Sequence, residues 1–295
     1  MSEIKSTDRV ANLPCDVCSS GSNVVIIGAG GGIGSALIEE YRHKNATLFL
    51  SAHSHFPHLQ AWSTAQAQCD DFAGVHVVHA DLVQEDGPER LAKELTDALR
   101  QASPEGKARP DQVAIVSGLD LMTEEARALN YNERMERIWR VDVRATVVLA
   151  RAFSAMARAY AVEHGDTRPA WRGSMALMGW SGVSRGQEGA TSQLYALAKG
   201  AVEAFAKALA QDSAPYQRVN VVAPGWIRTT WGAQASLNAN RRARAESLMQ
   251  RWGEAKEVAR VLAFVLSEQA SFINGQRIVV DGGFDYRTPI KIAPH

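Results

Sequence analysis

The sequence predicts a single α/β domain, doubly wound around a mostly parallel sheet of seven strands. Three observations support this fold class. Short runs of β-branched and apolar residues alternate along the chain with longer amphipathic segments. Strands separated by helix-length segments form parallel βαβ units, whose right-handed crossovers place helices on both faces of the sheet. A glycine-rich turn follows the first strand, so a ligand is expected at the carboxyl ends of the strands.

The strands are predicted from seven short apolar runs. In chain order they are Val24–Ile27, Thr47–Ser51, Val75–His79, Val113–Ser117, Ser174–Met178, Arg218–Val222 and Arg277–Val280. The predicted helices between them are Ser35–Arg42, Pro88–Gln101, Glu133–His164 with a long helix through Ala145–Ala161, Gln193–Asp212 and Glu254–Ser267. The second of these helices shows the expected period, because Leu91, Leu95 and Leu99 recur every four residues.

The length of 295 residues suits one large domain, predicted over residues 22–284 between tails at 1–21 and 285–295. The 32 basic residues balance the 32 acidic ones, so neither nucleic acid nor an anionic membrane is expected as a partner. No apolar run is long enough to span a bilayer, and the first residues lack the apolar core of a secretory signal.

The cysteine count favours a reducing compartment. Three cysteines are too few for a disulfide framework, so we expect a cytoplasmic protein. Cys15 and Cys18 form a CxxC ahead of the first strand, which is the pattern of a redox pair or half a zinc site. No second ligand pair follows nearby, and a redox CxxC normally opens a helix after a strand. We interpret the pair as fortuitous and expect no metal.

The first strand runs directly into a glycine-rich turn, GAGGGIG, at residues 28–34. Glycines permit a tight turn and a close backbone approach, and the next helix offers free N–H groups and a positive dipole end. The spacing is GxxxGxG, with Gly28, Gly32 and Gly34 at its three positions. In this context we expect the turn to hold a pyrophosphate, the alternative being a plain tight turn.

A second motif places a tyrosine and a lysine one helical turn apart. Tyr195 and Lys199 are at i and i+4 of a predicted helix and therefore share one face. A free tyrosine has a pKa of about 10, and a neighbouring cation favours its phenolate. The pair suits acid/base chemistry, although a surface tyrosine beside a solvated lysine is the alternative.

With the glycine turn, this pair resembles the short-chain dehydrogenase/reductase family over residues 22–284. Five segments match the family in order: GAGGGIG (with Ile27 where threonine is usual), His79–Leu82, Tyr195 to Lys199, Pro224–Thr229 and Ser271–Phe284. The resemblance implies a Rossmann-type fold and an NAD(P)-dependent dehydrogenase or reductase acting on CH–OH or C=O groups.

The resemblance also implies roles for individual residues. Tyr195 is the general acid/base, and Lys199 holds the nicotinamide ribose and lowers the pKa of Tyr195. The residues expected to bind the cofactor are Gly28, Gly31, Gly32, Ile33, Gly34, His53, Asp81, Leu82, Gly118, Tyr195, Lys199, Pro224, Ile227 and Thr229. A homodimer or homotetramer is implied, through helices such as Ala145–Ala161 and Ala196–Ala210.

Three family features are altered in this chain. The position of the serine that binds the substrate oxygen does not match the family pattern clearly. We assign this role to Ser181, and Ser184 is the rival candidate. The remaining alternative is that neither serine reaches the site. The usual Asn-Asn-Ala-Gly is absent, although Gly118 can still admit the ribose. The relay asparagine corresponds to Asp142, whose charge near Lys199 is expected to raise the lysine pKa and shift the pH optimum.

The preferred dinucleotide is predicted from the end of the second strand. An acidic residue there selects NAD, whereas a basic group accommodates the 2′-phosphate of NADP. The segment contains no acid, and His53 lies where NADP-using relatives often have arginine, with Ser51 and Ser54 as further donors. We favour NADP over NAD. The alternative is that these side chains belong to an ordinary loop and do not bind the cofactor.

The substrate is predicted only by class, as a small carbonyl or alcohol compound. Trp180, Trp226 and Trp231 favour an apolar or ring-bearing molecule, the alternative being core or subunit contacts. The polar segment Gly232–Arg244 is a possible lid. Two other functions remain open: a non-catalytic or divergent cofactor-binding regulator, supported by the altered motifs, and a sugar-nucleotide epimerase or dehydratase, disfavoured by the short C-terminal region.

Overall fold

The computed structural model describes residues 21–67, 69–103, 109–163, 173–229 and 235–283. The CxxC pair, Trp231 and the predicted tails except Gly21 lie outside the described residues. The strands are β1 (Asn23–Ile27), β2 (Thr47–Ala52), β3 (Gly74–His79), β4 (Gln112–Ile115), β5 (Gly173–Met178), β6 (Gln217–Pro224), β7 (Ile227–Arg228), β8 (Gly253–Glu254) and β9 (Arg277–Val280).

The helices alternate with these strands along the chain. They are α1 (Gly32–Glu39), α2 (Phe56–Gln66), α3 (Gly87–Ala102), α4 (Glu124–Ala128), α5 (Tyr131–Ile138), α6 (Ala145–Glu163), α7 (Ala190–Ser213), α8 (Leu237–Glu246) and α9 (Ala255–Leu266). A π-helical segment, Trp139–Arg144, joins α5 to α6. The sequence does not predict helices α2, α4 and α8: α2 buries only Leu59, α4 is five residues long, and α8 lies in the polar segment that was expected to be a lid.

Seven strands form one parallel sheet in the order β3-β2-β1-β4-β5-β6-β9. The predicted seven-stranded, doubly wound sheet is therefore confirmed, and every pairing in it is parallel. The chain reverses its direction of winding between β1 and β4. At such a switch point the loops after the two strands diverge and leave a crevice for a ligand at their carboxyl ends.

Apolar layers cover both faces of the sheet. On one face, Phe49, Leu95 and Phe153 belong to a buried cluster contributed by the sheet, α3, α6 and α7. On the other, Ile26, Leu37 and Leu262 belong to a cluster that includes α1 and α9. The strands are buried on both sides, which explains why they read as nearly continuous apolar runs in the sequence.

The long helix Tyr131–Glu163 is interrupted only by its π-helical turn. By length and composition it is the one helix among the described residues that could cross a membrane, but core helices pass the same test. Leu149 and Phe153 on this helix are fully buried in the core. The π-helical turn carries Asp142, and such turns in α-helices are frequent at functional sites.

The predicted lid segment is helical in its second half. Ser236 caps α8 by accepting the Ala239 N–H at 3.2 Å. The chain then turns back to form β8, which pairs with β7 as a separate two-stranded parallel ladder. This ladder and α8 lie beyond the carboxyl end of β6, beside the crevice.

Candidate active site

The glycine turn after β1 is held by steric contacts that only glycine permits. A Cβ at Gly34 would lie 2.3 Å from the Gly28 oxygen, and one at Gly28 would lie 2.7 Å from the Ser117 nitrogen. Gly28 also has a φ of 89°, which side chains disfavour. These two glycines let α1 start close to β1 and bring the loop after β4 against the turn.

The start of α1 supplies the features expected for a diphosphate site. Its N-cap, Gly31, provides no side-chain hydrogen bond, so the first N–H groups of the helix are not capped. A Cβ at Gly32 would lie 3.2 Å from the Thr229 side chain, so the turn and the segment after β6 face each other closely. Ile33 is half-buried beside them. The turn fits the diphosphate of a dinucleotide.

Three histidines surround the expected adenosine end of the crevice. The rings of His53 and His79 are 5.5 Å apart, because Ala52 and His79 pair across β2 and β3. The His55 side chain packs over the turn, 2.7 Å from where a Cβ at Gly30 would lie. No acidic residue follows β2 before Asp70. The described residues thus present imidazoles where NAD-selective proteins carry a carboxylate.

Asp81 and Leu82 follow β3, as the sequence predicts. Asp81 accepts the Val83 N–H at 3.0 Å and the Gln84 side-chain amide at 3.2 Å. Burial raises the pKa of Asp81, but these hydrogen bonds and the nearby imidazoles lower it more, so its pKa lies below the ordinary value. The carboxylate holds the loop in shape, and Leu82 anchors it in the core.

The Tyr195–Lys199 pair lies on one face of α7, and Asp142 joins it from the π-helical turn. Lys199 Nζ is 2.6 Å from Asp142 Oδ1, and both side chains are buried. The other carboxylate oxygen of Asp142 accepts the Leu119 N–H at 2.8 Å. A Cβ at Gly118 would lie 3.4 Å from Asp142 Oδ1, so this glycine lies directly against the ion pair.

The Tyr195 hydroxyl is engaged by the loop after β4. It donates to the Leu119 carbonyl at 2.9 Å and accepts the Leu121 N–H at 3.3 Å. Burial raises the pKa of Tyr195, the charges of Asp142 and Asp120 raise it further, and the Leu121 N–H only partly offsets them. The expectation that Lys199 lowers this pKa is wrong here, because Lys199 pairs with Asp142.

The predicted serine lies in a different environment from the tyrosine. Ser181 opens a single 3₁₀ turn and is buried, and its hydroxyl forms no hydrogen bond among the described residues. Its oxygen lies 3.4 Å from where a Cβ at Gly225 would be. The Trp180 ring instead faces Tyr195, with 6.1 Å between ring centroids. The rival Ser184 is exposed, and its hydroxyl is 3.5 Å from the Ser181 carbonyl.

A polar cluster closes the side of the crevice formed by α8. Glu246, near the end of that helix, accepts the Trp226 indole N–H at 2.8 Å and the Gln187 amide at 3.2 Å. Arg185 is buried 3.9 Å from Glu246 and 3.6 Å from Asp281. These contacts tie α8 to the β5–α7 loop and to the segment after β9. Pro224 and Ile227 are buried where β6 leaves the sheet.

Several residues of this site were not anticipated. His55 and His79 could have been found from the rule that ligands meet strand ends, since His79 ends β3 beside β2. Leu119 and Leu121 contribute backbone groups to the site, and such a contribution cannot be recognised from the type of side chain in the sequence. Arg185 and Glu246 come from separate loops, and no local pattern connects them.

Together, a glycine turn at the switch point and a group beside it, formed by the half-buried Tyr195 and the buried Lys199 and Asp142, define a dinucleotide-binding protein of the doubly wound class. Comparison with known proteins agrees. A family model described as enoyl-(acyl carrier protein) reductase matches residues 28–285. Cyclopentanol dehydrogenase from Comamonas sp. (strain NCIMB 9872) is 34% identical over 175 residues, which are 58% of this chain and 65% of that protein.

Two further similarities extend over most of the chain. An uncharacterized oxidoreductase from Bacillus subtilis (strain 168) is 28% identical over 268 residues, 88% of this chain and 97% of that protein. A solved short chain dehydrogenase from Burkholderia cenocepacia J2315, in complex with NADP, has a TM-score of 0.72 at 21% identity, covering 90% of this chain and 98% of that chain.

The family model covers most of the sequence, so the chain belongs to the short-chain dehydrogenase/reductase family. The relatives named here are oxidoreductases, which confirms the resemblance drawn from the five sequence segments. The matches to the first curated relatives span between 53% and 65% of those proteins' own length.

Proposed function

We propose that this protein is an NAD(P)-dependent oxidoreductase that interconverts a carbonyl group and an alcohol, with Tyr195 exchanging the proton. One observation carries the proposal: the Tyr195 hydroxyl, Lys199 and Asp142 meet at Leu119, in the loop that packs against the glycine turn. The proton-transfer group therefore lies next to the expected dinucleotide site.

The environment of Tyr195 favours the reductive direction. A bound nicotinamide cofactor supplies the hydride in this chemistry. The raised pKa of Tyr195 keeps its phenol protonated near neutrality, so it is suited to give a proton to a developing alkoxide. It must first exchange its hydrogen bond with the Leu119 carbonyl for one with the substrate oxygen. Lys199 balances the charge of Asp142, and its Nζ lies 3.8 Å from where a Cβ at Gly118 would be, so Lys199 is the residue that would hold the cofactor's ribose.

The second hydrogen-bond donor to the substrate oxygen remains open between two serines. The buried hydroxyl of Ser181 has no hydrogen-bond partner among the described residues, so it is available to donate to a substrate oxygen. It would have to rotate away from Gly225 to reach the substrate. Ser184 would have to move inward from the surface. We retain Ser181 as the preferred donor, because burial makes an unsatisfied hydroxyl costly and a ligand oxygen would satisfy it.

We infer the substrate class from Trp180, which lies beside Tyr195, and from Trp226, which follows β6. Trp180 faces Tyr195, and Trp226 is fixed by Glu246 and packs edge-on against Trp252 at 5.4 Å. Rigid indoles favour flat or ring-bearing apolar molecules. The Comamonas relative is named for a ring alcohol, which agrees with this choice. We propose an apolar cyclic ketone or aldehyde as substrate.

Tyr195→Phe tests the proposal directly. Against a panel of cyclic ketones and aldehydes with NADPH, the variant is expected to lose about 10²–10⁴-fold in turnover. Its cofactor affinity should stay near that of the unmodified protein, because the phenyl ring keeps its packing. Equal turnover by both proteins would overturn the assignment of Tyr195.

The preferred cofactor in this proposal is NADP, with NAD as the alternative. The support is the histidine group after β2 and β3 and the lack of a carboxylate there. The Burkholderia structure, which contains NADP, is consistent with it. His53 is exposed at the end of β2, so its imidazole is available to a 2′-phosphate.

A second candidate function is a cofactor-binding protein without turnover. It is favoured by the Tyr195 hydroxyl being bound to its own loop and by Ser181 forming no link to it. Such a protein would bind NADPH yet reduce no member of the carbonyl panel, and Tyr195→Phe would change nothing. An epimerase or dehydratase acting on a nucleotide sugar is a third, less favoured candidate, distinguished by turnover without net change in NADPH.

The protein is proposed to form a homodimer or homotetramer. Tyr131, Met135 and Trp139 recur every four residues on the long helix and are 39%, 38% and 44% exposed. Leu197 is exposed on α7, which packs beside that helix. An apolar stripe of this kind on two adjacent helices suits a second copy of the chain. A cytoplasmic location is proposed from the low cysteine count.

A further inference from the structure

Three arginines surround a cavity beyond the substrate side of the crevice. The cavity has a volume of 170 Å³ and is lined by Arg228, Arg244, Arg251, Trp252 and Glu254. Arg228 comes from β7, Arg244 from the last turn of α8, and the other residues from the segment that forms β8. The lining thus brings together three neighbouring elements of the segment between residues 228 and 254.

One of the arginines is already neutralised. Arg251 forms two hydrogen bonds with Glu257, at 2.7 and 2.8 Å, and donates to the Trp252 carbonyl at 2.9 Å. The only acid in the lining, Glu254, is paired with Lys256 at 2.7 Å. Neither carboxylate is therefore free to compensate the remaining cations.

The other two arginines have no such partner. Arg228 and Arg244 are exposed, and neither forms a hydrogen bond or ion pair with any residue in the part of the chain that the structure describes. The lining and the residues paired with it carry two more positive than negative charges. Two guanidinium groups facing one small space repel each other unless an anion lies between them.

The size and charge of the cavity select the class of ligand. A space of about 10–15 Å³ already admits one water, so this cavity has room for a group of several heavy atoms. A phosphate carries about −1.5 to −2 charges near neutrality, which matches the excess, whereas a carboxylate carries one. Guanidinium groups bind phosphate through paired N–H donors.

We propose that this cavity is a binding site for a phosphate group of a ligand. The site is separate from the histidines at the adenosine end, and it does not depend on the chemistry assigned to Tyr195. Thr229, which follows Arg228 in the chain, lies against Gly32 of the glycine turn. A phosphate bound in the cavity belongs either to the cofactor or to a second, phosphorylated ligand.

Calorimetric titration with inorganic phosphate tests the site. It is made at about pH 8, where phosphate is a dianion, and at ionic strength held constant with sodium chloride. The proteins compared are the unmodified chain, Arg228→Gln, Arg244→Gln and the double variant. Arg241→Gln is the matched control, because it removes the same charge from α8 without lining the cavity. Circular dichroism of each variant shows that it is folded.

Each single cavity variant is expected to weaken phosphate binding by about tenfold, which is one charge-assisted hydrogen-bonded contact. The double variant should lose the binding and Arg241→Gln should keep it. Unchanged phosphate affinity in the folded double variant overturns the proposal. So does an equal loss in Arg241→Gln, which would indicate attraction to the general charge of α8.

Repeating the titration with NADPH bound identifies the source of the phosphate. If phosphate still binds, the site serves a second, phosphorylated ligand. If NADPH excludes it and the double variant also weakens NADPH about as much as phosphate, the cavity holds a phosphate group of the cofactor. Failure of Tyr195→Phe to affect turnover would leave either result intact, because phosphate binding is measured without catalysis.

Discussion

Lys199 Nζ lies 2.6 Å from Asp142 Oδ1 in a buried part of the crevice, so the lysine that should support Tyr195 is paired with a carboxylate. Burying two charges costs free energy, because both lose their hydration. Each charge of this pair is stabilised in the buried site by the opposite charge of the other. The charge of Asp142 also acts on Tyr195 and raises its pKa beyond the effect of burial. This geometry leads to the first prediction.

Asp142→Asn should shift the pH dependence of catalysis. The amide oxygen can still accept the Leu119 N–H, but the negative charge near Tyr195 is gone and Lys199 is no longer neutralised. The pKa of Tyr195 falls, so the alkaline limb of the pH–rate profile for reduction moves to lower pH, and alcohol oxidation near neutrality becomes faster. Steady-state rates in both directions across pH measure this shift.

Asp120→Asn is the matched control for that experiment. Asp120 also raises the pKa of Tyr195, but it is exposed and ranks below Asp142 among the causes, so a smaller displacement is expected. An unchanged profile for Asp142→Asn would contradict the role given to the pair. Asp142→Leu, which leaves Lys199 buried without a partner, should lower the free energy of unfolding by about 3–5 kcal/mol.

His53→Ala should reduce the preference for NADPH over NADH. Loss of a charge-assisted hydrogen bond to the 2′-phosphate is expected to weaken NADPH binding by about tenfold or more, with NADH unaffected. Fluorescence titration with both cofactors measures the two affinities.

His58→Ala provides the comparison for His53→Ala, since His58 is an exposed histidine on α2. It should leave both affinities as they are. Equal losses of affinity for the two cofactors in His53→Ala would remove His53 from the phosphate site.

Gly34→Ala and Gly31→Ala should differ sharply although both lie in the glycine turn. A Cβ at Gly34 would meet the Gly28 oxygen at 2.3 Å, whereas one at Gly31 would be 3.5 Å from the same atom. Gly31 also has an ordinary φ of −77°. Gly34→Ala is expected to lower the free energy of unfolding by about 1–3 kcal/mol or more and to abolish cofactor binding. Similar urea midpoints for the two variants would show that α1 can move away.

Acidification should destabilise the fold through His76. Burial lowers the pKa of His76, whose ring stacks on Phe49 with 4.8 Å between centroids. The folded state therefore binds this proton less readily than the unfolded chain. Its contribution is fully present above the ordinary pKa of about 6.5 and is lost as pH falls through the lower folded value. Urea unfolding at a series of pH values measures the loss.

His76→Phe should make the free energy of unfolding less dependent on pH in that range, because phenylalanine keeps the stacking but binds no proton. His58→Gln, at an exposed site, should follow the unmodified protein. If His76→Phe keeps the full pH dependence, other groups account for it.

Met135→Glu should dissociate the assembly. It places a charge in the middle of the exposed stripe formed by Tyr131, Met135 and Trp139, where burial against a second copy is proposed. Light scattering after size-exclusion chromatography should then report a mass below that of the unmodified protein. Phe272→Glu changes a fully exposed phenylalanine that is far from the stripe in sequence, and it should not change the mass of the assembly. Identical masses for Met135→Glu and the unmodified protein would exclude the stripe as the contact.

Local signals in the sequence predicted the sheet and the segments that approach the ligand. The glycine turn follows β1 without a gap, and Tyr195 and Lys199 are one turn apart on the same helix. Such features depend on near neighbours, so periodicity and residue type are sufficient to find them. The seven parallel strands and the family were therefore predictable, with errors of a few residues at the ends of elements such as β4 and α7.

The contacts that set the chemistry were decided by the tertiary structure. Asp142 meets Lys199 because a π-helical turn presents it to α7, and the Tyr195 hydroxyl finds the Leu119 carbonyl from another loop. Trp180, packed over Gly182, faces the tyrosine where Ser181 was expected. Arg228 and Arg244 converge only when β7 and α8 are in place. These partners come from different elements of the chain or from turns whose shape the sequence does not reveal, and only packing of the whole chain determines where side chains point and which charges are neutralised.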